Sequence, residues 1–521
     1  MAVRQSRGLR AGRHEWPGVS EIRRGALLSY ATILVVNLSG LLLTPFIIRA
    51  LGNAEYGLYL LIGSLAAYLG VLDFGLNNAV TRYVAQCAAK RDRAQEARFL
   101  GAALVVNALA AATIIGVGAI FYANIDAWFS DTLDAGQRDQ ARIMLLLLIA
   151  NVVLTVSSSM FTAICAGHER FAFPKLVNLA RYLLRIGLIL ALLRSGGGAV
   201  ALVALDATLS FFVFLANAFY AMRSIGARFN LKTLSIQLVR SVLTFSAWVF
   251  LFAIIGQLQW HSGQIIVGKT IGMEAVAVYG IGIMFGTYYG AFSAAITGLF
   301  LPRATYMTVA NASPQELGAE MTRIGRMALL ILLLILGGFA AFGHEFLQLW
   351  AGPDYGAAWL VALVIMLAYT VPLVQSFANQ LLEANALFAF KAKVYLVALP
   401  LGVVLGYYLL ESLGALGMAL GIASGWAAAI VIMNVYYHRV LGLDIPGFFG
   451  ALLKGIAPAF VGCLVVAGVL RMVPGSGWSV LFAKMATFAA AYAALMYLVG
   501  MNNRERIEVK GMVERFKWTH A

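Results

Sequence analysis

The chain reads as an all-α integral membrane protein of about 14 transmembrane helices, in two parallel six-helix lobes around a central cavity with two further C-terminal helices. Three observations predict this. Hydrophobic residues make up 61% of the 521 positions and charged ones only 12%, about half the charged share of an ordinary soluble domain. Apolar runs of about 20 residues, the length that crosses a 30 Å hydrocarbon slab, recur along the whole chain. Finally, the chain repeats itself: Arg49-Ala-Leu-Gly52-Asn-Ala-Glu-Tyr-Gly57-Leu-Tyr59 aligns without a gap on Lys269-Thr-Ile-Gly272-Met-Glu-Ala-Val-Ala277-Val-Tyr279. The same offset of 220 places Tyr68 on Tyr288 and Gly70 on Gly290.

Residues 1–25 form a basic tail with Arg4, Arg7, Arg10, Arg13, Arg23 and Arg24, and its Trp16-Pro17-Gly18 reads as disordered or surface-lying. The first apolar run is long and follows that tail, so it is expected to be a retained span and not a cleaved signal. Spans fall near 26–48, 57–79, 98–122, 143–165, 173–193, 199–221, 242–267, 275–299, 325–348, 358–382, 392–410, 413–437, 449–471 and 478–500. Six spans separate the two repeat copies, so both halves enter the membrane from the same side and are parallel. The lobes are then 26–222 and 241–440, joined by a cytoplasmic linker over 223–240. Two extra spans follow over 441–500, with a second tail over 501–521.

The charges orient this array. Assigning alternate connections to one face collects about 29 of the 38 Lys and Arg there, including Arg82, Lys90, Arg91, Arg93 and Arg98, and Arg504, Arg506, Lys510, Arg515 and Lys517 at the end. That face, with both termini, is expected to be cytoplasmic. The opposite face has short or acidic connections, with Asp126, Asp131, Asp134 and Asp139 in the longest, about 123–142. Ala88–Leu100 reads as a short amphipathic cytoplasmic helix, and Ser313-Pro314-Gln315-Glu316 as the capped start of another. Glycines spaced as in Gly414-Ala-Leu-Gly417-Met-Ala-Leu-Gly421 read as helix-packing faces.

Composition excludes several functions. The net charge of +15 is spread along the chain and forms no clustered nucleic-acid domain. The letters GxxxxGK[ST] occur at Gly263–Thr270, but inside an apolar span and not between a strand and a helix, so they do not read as a phosphate-binding loop, which argues against direct drive by ATP. Cys87, Cys165 and Cys463 have no paired spacing for a disulfide or thiol metal site, and the six scattered histidines suggest no metal or catalytic centre.

The polar residues inside the spans are the candidates for function. Gln257, Gln259, Trp260, His261, Ser262 and Gln264 crowd the seventh span, and Gln257, His261 and Gln264 share a helix face at i, i+4, i+7. Such a face is costly against lipid, so it lines a hydrated cavity or a helix interface. In a cavity, the amides and imidazole would bond the hydroxyls of a polar cargo and Trp260 would stack on a ring. Arg49 and Lys269 hold matched places at the outer ends of spans one and seven. They read as a cationic pair for an anionic cargo, or as helix-end anchors. Arg185 and Asp206 lie about eleven and nine residues either side of the Gly196–Gly197 turn, hence at nearly equal depth, as an ion pair or a coupling site. Asp73, ahead of Asn77, Asn78 and Arg82, reads as a structural or inner-gate residue. Gln375, Asn379 and Gln380, with Glu383 beyond, offer a polar wall in the second lobe.

Leu51-Gly52-Asn-Ala-Glu-Tyr56-Gly57, then Leu72-Asp73-Phe74-Gly75-Leu76 and Arg82-Tyr83, resembles the opening of the polysaccharide transporter family. These are the oligosaccharide (Wzx-type) flippases of the multidrug/oligosaccharidyl-lipid/polysaccharide exporter superfamily. Gly272 to Tyr279 and Phe346-Leu-Gln-Leu-Trp350-Ala-Gly352 are similar to that family's second half. The resemblance implies a flippase of the bacterial inner membrane, not an enzyme. It would carry a polyprenyl-diphosphate-linked oligosaccharide (a repeat unit of O-antigen, capsule or exopolysaccharide) from the cytoplasmic to the outer leaflet, beside a glycan polymerase and a chain-length regulator. The related alternatives are a lipid II flippase or a multidrug/cation antiporter, and from another class a membrane glycan polymerase or ligase. Many relatives carry an acidic residue near His261 or Gln264. None stands here, so ion coupling through that helix does not carry over. No cofactor is implied, and a proton gradient, a sodium gradient or removal of product by polymerisation all remain open as energy sources.

Overall fold

In the computed structural model, residues 18–73, 75–231, 250–297, 301–385 and 387–518 are described, and they form helices and the turns between them with no strand. The first seventeen residues, the second half of the expected linker and the start of the seventh span lie outside them. The first lobe comprises α1 (Gly18–Leu51), α2 (Asn53–Gly70), α3 (Leu76–Lys90), α4 (Arg93–Phe129), α5 (Ala135–Gly167), α6 (Ala172–Arg194) and α7 (Ala199–Tyr220). The second comprises α8 (Phe250–Trp260), α9 (Ser262–Thr270), α10 (Met273–Thr297), α11 (Leu301–Val309), α12 (Pro314–Trp350), α13 (Ala358–Val374), α14 (Ser376–Ala384), α15 (Phe388–Leu413) and α16 (Ala415–Arg439). A C-terminal arm follows: α17 (Ile445–Leu453), α18 (Ile456–Met472), α19 (Trp478–Leu495) and α20 (Asn503–Trp518).

Eleven helices among the described residues are long and apolar enough to cross a membrane, or up to 12 if α17 and α18, bent by 44°, make one span. The expected count of about fourteen is not reproduced, for two reasons. The stretch Leu27–Lys90 counts once although it contains the Gly52 turn and the first two expected spans. The seventh expected span begins outside the described residues, which leaves only Phe250–Trp260 and the nine residues of α9.

The elements form where local chemistry directs. The repeat's two glycines are turn glycines: Gly52 has φ 77° between α1 and α2, and Gly272 has φ 127° before α10. Only a residue without Cβ takes that conformation at little cost. Ser313 and Glu316 form the expected capping box, but it opens the continuous 37-residue α12 that includes the ninth span and not a separate short cytoplasmic helix, and Asp134 with Gln137 forms another box on α5.

Three further expectations are corrected. α1 begins at Gly18, inside the expected tail 1–25. Residues 88–100 hold no separate amphipathic helix: α3 ends at Lys90, Arg91 turns the chain at φ 54°, and Asp92 caps a continuous α4 by accepting from Gln95 N. The short aspartate-capped turn satisfies the helix ends that a separate helix would have had to satisfy. Of the glycine series, Gly417 and Gly421 do pack, against Leu409 and Gly406, whereas Gly414 is the turn itself at φ 58°.

Candidate functional site

The two repeat copies meet each other. α2 of the first lobe packs on α10 of the second. Gly280 lies against the Leu60 side chain, and these residues hold the same place in the two copies, so the contact falls on the axis that relates them. Gly57 faces the backbone of Met273 so closely that a Cβ would overlap its carbonyl. The matching Ala277 is fully buried. Midway along this seam the Ser64 hydroxyl donates to Gln264 Oε1. Toward the end that carries the Gly52 and Gly272 turns, Asn53 Nδ2 donates to Asp354 Oδ2 at 2.7 Å while the Tyr355 hydroxyl donates to Asn53 Oδ1 at 3.0 Å. Trp350 Nε1 adds a bond to the Leu41 carbonyl at 2.9 Å. The seam is therefore latched at the end the sequence assigns to the outer face.

The first lobe holds two ionic clusters beside a neutral buried set, in which Asn107 Nδ2 donates to the Val156 carbonyl at 3.3 Å and Asn217 Nδ2 to Ser158 Oγ at 3.1 Å. Arg185 Nε donates to Asp206 Oδ1 at 2.5 Å and its Nη2 to Oδ2 at 2.9 Å, with a longer contact of 3.4 Å to the Tyr59 hydroxyl. The two side chains are 24% and 15% exposed, so a fork-to-carboxylate bond between α6 and α7 is only partly screened. Nearer the expected cytoplasmic face, Glu96 takes His168 Nε2 at 2.8 Å and Arg93 Nη1 at 3.1 Å, tying the start of α4 to the end of α5. Asp73 is spent locally: its Oδ1 accepts from Gly75 N at 2.8 Å and turns the chain between α2 and α3.

Around the break between α13 and α14, the second lobe places mainly neutral groups. Gln375, buried at the break between α13 and α14, donates from Nε2 to Asn434 Oδ1 at 2.6 Å. Asn379 Oδ1 receives Lys391 Nζ at 2.9 Å and the Tyr437 hydroxyl at 3.1 Å. Trp260 is enclosed by aromatic rings, 5.4 Å from Tyr369 and 5.5 Å from Trp426, both edge-on. Gln257 Oε1, His261 Nδ1 and Trp426 Nε1 are buried without a hydrogen-bond partner among the described residues.

These placements divide the sequence candidates. Gln264 lies in the seam between the lobes. Gln257, Trp260 and His261 sit beside an aromatic cluster, with the helix pausing at His261 between α8 and α9. Gln375 and Asn379 belong to one polar network. Arg49 and Lys269 stand exposed in the last turns of α1 and α9, three residues before the two turn glycines, where a cation complements the helix dipole. They are not brought into contact with the Gln257–Gln264 group by any bond among the described residues. The sequence reading missed Lys391, which falls one residue before the expected eleventh span, outside the spans searched for polar residues. It missed Asn53 and Tyr355 because their bond joins positions 302 apart.

The family described as "Polysaccharide biosynthesis protein" matches residues 22–304, more than half of the chain. A curated relative, "Uncharacterized membrane protein EpsK" of Bacillus subtilis (strain 168), is 23% identical over 490 residues, covering 92% of this chain and 94% of its own. Among solved structures, "Lipid II flippase MurJ, inward closed conformation" superposes with a TM-score of 0.71 at 12% identity, covering 91% of this chain and 99% of that one. An inward-facing multidrug resistance MATE family transporter of the MOP superfamily gives 0.55 at 14% identity, over 83% of this chain and 99% of its own. At such identities the likeness is one of fold.

Proposed function

The chain belongs to the polysaccharide biosynthesis protein family, with the multi-pass membrane fold of a transporter and not an enzyme, and from that premise we propose that it flips a polyprenyl-diphosphate-linked oligosaccharide across the bacterial inner membrane by alternating access. A diphosphate and its sugars cannot enter hydrocarbon unaided, because each desolvated charge or hydroxyl costs several kcal/mol. Two lobes that rock about a shared axis offer such a head group a polar route while its lipid tail stays in the bilayer. The observation that carries this reading is the seam: matched repeat copies packed on each other and latched at one end, by the Asn53–Asp354–Tyr355 bonds. With both termini cytoplasmic, that latched end faces outward and the head group enters from the cytoplasm. Polar residues from Gln257 to Gln264, with Gln375 and Asn379, are the side chains the reading assigns to sugar contacts. Arg49 and Lys269 are assigned to the diphosphate, and Arg185 with Asp206 and Asp73 to gating or ion coupling. A glycan polymerase and a chain-length regulator are the partners this role implies.

The test is reconstitution into vesicles with candidate lipid-linked sugars, scoring outer-leaflet accessibility with and without proton or sodium gradients. Lipid II is included as an arm because of the MurJ-like fold. Flipping of a lipid-linked oligosaccharide but not lipid II is expected. Activity on lipid II alone, or on none of the lipids under any gradient, would sink the proposal.

A further inference from the structure

Among the described residues the arm beyond the repeat packs chiefly along one helix of the second lobe, α12, which also carries the latch. Near its start stands Arg326, 5% exposed. Its Nε donates to Glu505 Oε1 at 2.6 Å and its Nη2 to Glu505 Oε2 at 3.0 Å and to the Gly500 carbonyl at 2.9 Å. Its Nη1 reaches the carbonyls of Ala451 at 2.8 Å, Lys454 at 2.9 Å and Leu452 at 3.3 Å, the free C-terminal end of α17 just before the bend into α18. One guanidinium thus caps α17 and binds α20. Glu505, itself buried, is fixed by reciprocal bonds with Asn502, at 2.8 and 2.9 Å. One turn earlier on α12, Arg323 meets Glu508 at 3.0 Å.

The grip continues along the helix. The Tyr492 hydroxyl donates to the Leu330 carbonyl at 2.6 Å, Gly337 admits Phe460 and Phe488, and Lys484 lies 3.7 Å from Glu345. Past that point α12 ends at Trp350, bonded to Leu41 of the first lobe, and the chain runs directly into Asp354 and Tyr355, which hold Asn53. A helix is stiff along its axis at 1.5 Å per residue, so a shift at Arg326 is felt at Trp350, about 36 Å away.

We propose that Arg326 is a positioning residue for transport: by tying α12 to α17 and α20, it holds Trp350 and the Asp354–Tyr355 turn against the first lobe, so that the C-terminal arm sets how readily the outer seam opens. The proposal rests on the alternating-access reading for which end faces out. Neutralising Glu505 leaves a buried guanidinium without its counter-charge, which loosens α20 and α17 first.

The test places a reporter cysteine at Ala277, fully buried under the seam, in the full-length protein. Its labelling by a membrane-impermeant thiol reagent is followed from the outer side, against the parent chain whose three cysteines are buried. The readout needs no cargo, so it is independent of whether the cargo is correctly assigned. Glu505→Gln is expected to speed labelling roughly tenfold and to raise hydrogen exchange in residues 503–511, while Glu505→Asp recovers part of the slow rate. Arg326→Lys, which keeps the charge but cannot fork to carboxylate and carbonyls together, should behave like Glu505→Gln. A role confined to stability would lower the melting temperature and leave labelling unchanged, and that result overturns the proposal. So does an α20 that stays protected in Glu505→Gln, or labelling that occurs only from the cytoplasmic side.

Discussion

The two lobes share a backbone plan and differ in the chemistry that fills it. Tyr59 and Tyr279 hold the same place in the repeat, yet the Tyr59 hydroxyl receives Arg185 while that of Tyr279 is buried against Gly263 with no hydrogen-bond partner among the described residues. The first lobe carries ion pairs, Arg185–Asp206 and Glu96 with His168 and Arg93, beside the neutral set of Asn107, Ser158 and Asn217. In the second, amides, aromatic rings and one lysine held by an amide oxygen take that place. What the repeat preserves is therefore steric: the turn glycines at 52 and 272 and a small residue at 57 and 277, buried in both copies, of which Gly57 lets α2 approach the Met273 backbone. Where two copies must pack on each other the space is fixed, and where each lobe satisfies its own polar groups any complementary set will do.

The contrast breaks most visibly at Asp206. Asp206→Asn should cost about 2–3 kcal/mol of stability, the penalty for a mostly buried guanidinium without its carboxylate after discounting partial exposure. Arg185→Met combined with Asp206→Leu should recover most of it, as read by denaturant unfolding of the purified protein. A double variant as unstable as the single one would mean that the pair is not the unit. If the double variant is stable but no longer transports, the pair serves coupling as well as structure.

A smaller effect is expected at the steric positions. Gly57→Ala drives a methyl group into the Met273 carbonyl and should lower stability by about 1–3 kcal/mol. Ala277→Gly at the matched position should cost no more than ~1 kcal/mol, the ordinary helix penalty. Equal losses at both positions would contradict the seam geometry.

The smallest difference is the sharpest. Tyr59→Phe removes an acceptor from a charged donor across a long contact and should cost about 0.5–1.5 kcal/mol. Tyr279→Phe removes a buried hydroxyl that has no partner and should be neutral or stabilising by up to ~1 kcal/mol. Thermal melts of the two variants in the same detergent decide it, and a larger loss for Tyr279→Phe would show that its hydroxyl is satisfied after all.

Much of this architecture was legible in the chain. The pairing of Arg185 with Asp206 followed from their distances to one tight turn, because an antiparallel hairpin sets depth by counting residues. The capping box at Ser313 followed from four consecutive residues. The polar stretch from Gln257 to Gln264 was found but not resolved. Periodicity says which residues share a face, not whether that face meets a cavity, a neighbouring helix or the Trp260, Tyr369 and Trp426 rings. Lys391 escaped because a span boundary drawn from hydropathy is uncertain by a turn, and a lysine just beyond such a boundary falls outside the span.

By itself the sequence determined the membrane-spanning helical class, the parallel halves and the positions of the turn glycines. Each of these depends on hydropathy, chain length or local φ, all properties of neighbouring residues. Only the tertiary structure decided that the repeat copies face each other, that Asn53 meets Asp354 and Tyr355 some three hundred residues away, and that the last two spans belong to α12. Those are choices among many sterically allowed packings of apolar helices, and lipid does not favour one over another. Close approach at small residues and a few buried hydrogen bonds select the arrangement, and their partners are fixed only when the chain is folded.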